Sequence, residues 1–161
     1  MVTDAMKMDG HYHVVCMDSQ GNVKWEDGID NLVTTVGQNA TLNSILGNAG
    51  AGTVLMGLKG VGTAVLADTM PSHPSWSEIT AIAARVAPTF STAAGGAKTT
   101  STPTSFTMTG SATVAGCFIV IGGTTVPGNT TGILFSAGDF ATTRTVVATD
   151  ILLVTYTVTI T

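Results

Sequence analysis

Ile151-Leu152-Leu153-Val154-Thr155-Tyr156-Thr157-Val158-Thr159-Ile160-Thr161 is the stretch that decides the fold. From Leu152 on, Leu152, Val154, Tyr156, Val158 and Ile160 share one side, while Leu153 and the threonines 155, 157, 159 and 161 share the other. Successive strand side chains point to opposite faces, so this is a strand with an apolar face and a threonine face. A strand this long needs neighbours and a second layer to bury that face. The pattern predicts an all-β, antiparallel β-sandwich, jelly-roll or Ig-like, with the five apolar residues meeting Phe106, Met108, Phe118 and Phe135 in the core.

Working outward, Thr104–Thr109, Thr113–Ile121, Gly132–Phe135 and Arg144–Ala148 read as further strands. Gly122-Gly123 and Pro127-Gly128-Asn129 supply turns, and Thr113–Ile121, apolar on both sides, suits a central strand. Ser91–Pro103 is a loop without periodicity. Nearer the start, Tyr12–Asp18 and Val23–Asp27 flank the turn-forming Ser19–Asn22 and predict a hairpin. Leu32, Val33, Val36, Ala40 and Ile45 or Leu46 then recur at three to four residues. This spacing predicts one helix over Asn31–Leu46, capped by Asp30, stopped by Gly47 and covering an open end of the sandwich. Thr53–Lys59 and Val61–Leu66 read as short strands joined at Gly60, with others near Trp76–Ile79 and over Ala81–Pro88. Residues 1–10 form a polar, Met-rich arm, and 11–161 a single domain.

Charged residues make up only 10% of the 161, the net charge is −4, and the mean hydropathy is +0.41. An average soluble domain is about 25% charged, so part of this surface is expected to be covered by a partner. Lys7, Lys24, Lys59, Arg85, Lys98 and Arg144 are scattered, which speaks against nucleic-acid binding. Cys16 and Cys117 lie in apolar surroundings and read as free thiols. No secretory signal pattern opens the chain and no apolar run reaches the length of a membrane span; the expectation is a cytosolically made protein without a membrane partner.

Signs of chemistry are few. His11 and His13 share a strand face but lack a third ligand, which predicts a solvent-facing pair without metal. Asn48–Gly52 is glycine-rich but no Gly-Lys-Thr/Ser follows, and Gly60-Val61-Gly62 lacks a third glycine, so no nucleotide cofactor is expected. Ala67–Thr80, broken by Pro71 and Pro74, gathers Asp68, His73, Ser75, Trp76, Ser77 and Glu78. A Ser, His73 and an acid there lack the sharp nucleophile turn and an oxyanion-hole sequence. The favoured reading is a long ordered loop plugged by Trp76, with no catalytic residue.

Several stretches together resemble small virion proteins of tailed bacteriophages. They are Asn31-Leu32-Val33, Met56-Gly57-Leu58-Lys59, Ala67-Asp68-Thr69-Met70, then His73, Trp76, Glu78 and Arg85. Ser105–Met108, Gly116-Cys117-Phe118, Gly132–Ser136 and Asp150–Tyr156 extend the likeness, which covers about Gly21–Thr161. The chain departs from the pattern at Pro71 and Pro74, and at Ala148-Thr149, where a glycine commonly precedes the aspartate. The resemblance implies a non-enzymatic head decoration (cement) protein, a homotrimer on the outside of the virion bound to the major capsid protein. A tail or fibre-tip component is the alternative; a hydrolase fits less well, since no paired carboxylates stand out and aromatic residues are only 6%. The parts expected to reach a partner are the arm (Met1, Met6, Met8), the loop with Asp68, His73, Trp76 and Glu78, and the 91–103 loop with Lys98.

Overall fold

The structure is a computed structural model and describes residues 7–46 and 52–161. Along them run β1 (Met8–Met17), β2 (Val23–Val33), α1 (Thr35–Ile45), β3 (Val54–Lys59), β4 (Ala97–Thr99), β5 (Thr104–Thr107), β6 (Ala112–Ile121), β7 (Ile133–Val146) and β8 (Ile151–Ile160). Met1, Met6, Gly47 and most of the Asn48–Gly52 connection lie outside the described residues.

The expected mostly antiparallel β architecture with one short helix is what forms. The strands bond in the order β3-β6-β7-β2-β1-β8-β4, with β5 also on β8, as one curled half-barrel sheet. β4 and β5 lie one after the other along the same edge of β8, at Thr157–Thr159 and Ile151–Val154. That edge and the β3 edge are linked by an irregular segment, residues 77–91. Val86 exchanges both backbone bonds with Met56, and Ile79 N donates to Leu58 O on β3. On the far side Thr109 N donates to Ala81 O, and Ser91 N to Thr99 O. An unpaired edge is a liability in any open sheet, and here one segment covers parts of both.

The sheet is apolar on both faces where β3, β6 and β7 run. Inside the curl, Tyr12, Val14, Met56, Leu58, Phe106, Met108, Val114, Cys117, Ile119, Leu152, Val154 and Tyr156 pack together. Outside it, Leu55, Phe118, Val120, Leu134 and Ala137 meet Ala64, Met70 and Trp76 from the 60–78 segment. Both free cysteines are buried, as expected. Burial pushes the Cys16 thiol up to about 11 and that of Cys117 higher still.

Several expectations need correcting. Phe118 packs on the outer face, because beyond the irregularity between Val114 and Gly116 it is Phe118 and Val120 that point away from the β8 apolar row, while Val114, Cys117 and Ile119 point toward it. Leu152, Val154 and Tyr156 are fully buried, but Val158 is only half-buried and Ile160 is 40% exposed, since the sheet ends there. The two strands expected over 132–148 are one, β7, and β2 runs on to Val33. The helix therefore starts later: its cap is Thr34, whose hydroxyl accepts from Gly37 N at 3.1 Å, and Asp30 belongs to β2. Only Gly37 of the helix is buried, its backbone pressed so close to Phe135 O that a Cβ would lie 2.3 Å from it. The apolar stripe does not point inward; Ile45 and Leu46 are exposed. Val61–Leu66 and Trp76–Ile79 are not regular strands, 81–88 forms only single bridges, and the 91–103 loop contains β4. The arm is shorter than expected, since Met8–Gly10 pair with Val158–Ile160.

Candidate functional site

Two regions stand out, one buried and one exposed. The buried one lies under the 60–78 segment, on the outer face of β3, β6 and β7. Lys59, at the end of an otherwise apolar strand, is fully buried there, with Nζ 2.5 Å from Asp139 Oδ1. Nζ also donates to Gly62 O and, at 3.3 Å, to Gly60 O, and stands 5.4 Å from the centre of the Trp76 ring. Asp139 Oδ2 accepts from Ala64 N at 2.9 Å, whereas buried Oδ1 has no partner placed in line for a hydrogen bond.

Of the residues singled out in the 67–80 loop, Asp68, His73 and Trp76 come together here, whereas Ser75 and Ser77 are exposed. Trp76 is the plug: it is buried, donates from Nε1 to Asp68 Oδ2 at 2.8 Å and stacks on His73 at 4.0 Å. Asp68 Oδ2 also accepts from Val65 N, and His73 Nδ1 contacts Trp76 O at 2.9 Å. Glu78 grips Arg85 in a two-toothed pair, Nε to Oε1 at 2.9 Å and Nη2 to Oε2 at 2.7 Å, and takes Gly128 N as well. Arg85 also donates to Thr124 O from Nη1 and to Asn129 O from Nη2. Planar forks of this kind are the strong form of a buried ion pair. Asp68, Trp76 and Glu78 are thus engaged inside the fold, where they pin the 60–78 and 122–132 segments to the sheet.

The other singled-out residues lie elsewhere. Lys98 is on β4, its Nζ 6.0 Å from the Phe90 ring centre. His11 and His13 are side by side on β1 and open to solvent, bonded to Asp30 at 2.9 Å and Glu26 at 2.7 Å on β2. Among the described residues no three His, Cys, Asp or Glu side chains are grouped as metal ligands would be, and no helix is long and apolar enough to cross a membrane.

The exposed region surrounds α1. Leu42, Ile45, Leu46, Val65 and Leu66 are 45–75% exposed, and Thr35 N donates to Leu66 O, which ties the two segments side by side. Beside them opens a cavity of about 450 Å³ lined by Met8, Leu32, Val33, Gln38, Leu42 and Leu66 among others. Met8, one of the residues expected to reach a partner, therefore lines it. Sequence reasoning missed this patch by assigning the helix stripe to the core. It also passed over Lys59, Asp139 and Arg85 as site residues, although a charge inside an apolar strand was the available signal.

No protein-family model matches the chain, and no curated protein matches it.

Proposed function

We propose that the protein is a decoration protein of a bacteriophage head, a homotrimer that sits on the outer surface and clamps subunits of the major capsid protein. The exposed apolar surface around α1 carries this reading. Apolar side chains clustered on the outside of a weakly charged chain mark a surface built to be covered. Met8, which lines the adjoining cavity, is suited to adaptable contacts. The phage-like stretches of the sequence supply the kind of partner. The strand spacing predicts a sandwich of two sheets; the strands bond as one curled half-barrel sheet, mostly antiparallel, with one short helix.

The mechanical task is to resist outward pressure from packaged, self-repelling DNA. A specific contact buries roughly 1,200–2,000 Å², and several such contacts held by one trimer release far more slowly than any alone. The rolled sheet with charges locked beneath the 60–78 segment makes a stiff body for that load. The test compares particles made with and without the protein under heating or osmotic shock. Heads lacking it release DNA at a lower temperature while tails are unaffected; equal head stability, or recovery of the protein only with tails, overturns the proposal.

A further inference from the structure

We infer that Lys59 and Asp139 are joined by an amide bond between their side chains, formed by the folded chain itself. The strand register brings them together. Lys59 on β3 is opposite Gly116 on β6, which is opposite Asp139 on β7. Glycine between them leaves a Cβ-free lane along which the lysine side chain crosses the middle strand. Gly116 is also a closely packed position, where a Cβ would fall 1.8 Å from Gly138 O.

The local chemistry favours condensation over a lasting ion pair. Taking the Lys59 ammonium fully, and the Asp139 carboxylate largely, out of water costs up to several kcal/mol per ion, recovered only where the geometry is good. Here Nζ lies against Oδ1 but out of line for a hydrogen bond. Moving one proton from Nζ to the carboxyl gives a neutral amine facing a neutral acid. The Nζ lone pair then attacks Cγ, and a second proton passes from nitrogen to Oδ1. The Cγ–Oδ1 bond breaks and one water leaves, so the products are an amide and water, with no oxidant or co-reactant. The Ala64 N–H on Oδ2 polarises the carbonyl that stays, in the manner of an oxyanion-hole donor. Oδ1, without such a bond, is the oxygen that departs. The Asp139 side chain is 29% exposed, giving the water and relayed protons a way out, while Trp76 covers the lysine. In the product the amide oxygen keeps Ala64 N and the amide N–H is placed to donate to Gly62 O. The bond staples edge strand β3 to β7 across β6.

Mass spectrometry of the purified, denatured protein tests this without any variant. The expected mass is lighter than that of the linear chain by one water, with a branched peptide carrying both Lys59 and Asp139 and no tryptic cleavage after Lys59. Lys59→Arg is expected to restore the full mass. Asp139→Asn is expected to form the same amide with loss of ammonia, giving the wild-type product mass. A full-mass wild-type chain with a linear, cleavable Lys59 peptide overturns the inference and leaves a plain ion pair. A water loss that maps instead to Asp27-Gly28 or Asp9-Gly10, as a succinimide, overturns it too.

Discussion

Tyr12 and Tyr156 are opposite one another on β1 and β8, ring centres 4.6 Å apart, both fully buried. The Tyr12 hydroxyl meets Ser136 Oγ at 2.9 Å, and the Tyr156 hydroxyl accepts from Asn31 Nδ2 at 3.4 Å. Burial raises the Tyr12 pKa well above its ordinary value of 10.0, helped by the neighbouring tyrosine, and burial raises that of Tyr156 as well. Above pH 10 the unfolded chain gives up these protons while the folded chain keeps them, so stability falls as pH rises. The slope is about 1.4 kcal/mol per pH unit for each tyrosine until its folded pKa is reached. Thermal melts between neutral pH and strong alkali should show this loss, and Tyr12→Phe should make it shallower.

Val154 and Ile160 share the apolar face of β8 but not its burial. Val154→Asp places an unpaired carboxylate in the inner core and is expected to cost several kcal/mol, enough to abolish soluble protein. Ile160→Asp, at a position 40% exposed, should shift stability by less than about 1 kcal/mol. Soluble yield and melting temperature of the two variants separate these outcomes.

Thr149 has φ +72°, a conformation that favours glycine and penalises a β-branched side chain. The residue is held by its N–H on Met108 O at 2.8 Å. Thr149→Gly should therefore stabilise the protein by roughly 1 kcal/mol, read as a raised denaturation midpoint.

Arg85 and Glu78 are both buried and depend on each other. Glu78→Leu leaves a buried guanidinium without its counter-ion and should cost about 3–5 kcal/mol, as Arg85→Met should for the stranded carboxylate, whereas the two changes together should cost less than either alone. Chemical denaturation of the three variants closes the cycle.

How far the sequence could be read followed from what each element depends on. The period-two run of β8 is local, and it was legible, as was Trp76 plugging a proline-broken loop. Lys59 facing Asp139 depends on the register of three strands, which no local pattern encodes. Phe118 was misplaced because β6 is apolar on both sides and alternation cannot say which face is inner. The helix stripe of Val36, Ala40 and Ile45 has the spacing of a buried face, but Gly37 takes the contact with β7 and turns Ile45 outward. Arg144–Ala148 looked separate from Gly132–Phe135 because the polar middle of β7, Ala141–Thr143, is exposed while its backbone continues the strand.

The outward-turned helix also gives the sharpest test of the assembly. Leu42 and Ile45 contribute little to the core, so Leu42→Asp and Ile45→Asp should leave the melting temperature of the isolated subunit nearly unchanged, with effects within about 0.5 kcal/mol. If the α1 surface is buried against a neighbour, the same carboxylates lose their hydration on binding and meet apolar groups, which costs several kcal/mol per contact. A penalty of 1.4 kcal/mol is about a tenfold loss of affinity, and it is multiplied where each copy makes the contact more than once. Sedimentation of the purified protein and its occupancy on particles are the two readouts. If the proposed trimer forms and these variants lose it, a second copy covers this surface; if they keep it but no longer bind heads, the capsid subunit does. A variant pair that trimerises and decorates normally would remove the α1 surface from the proposal.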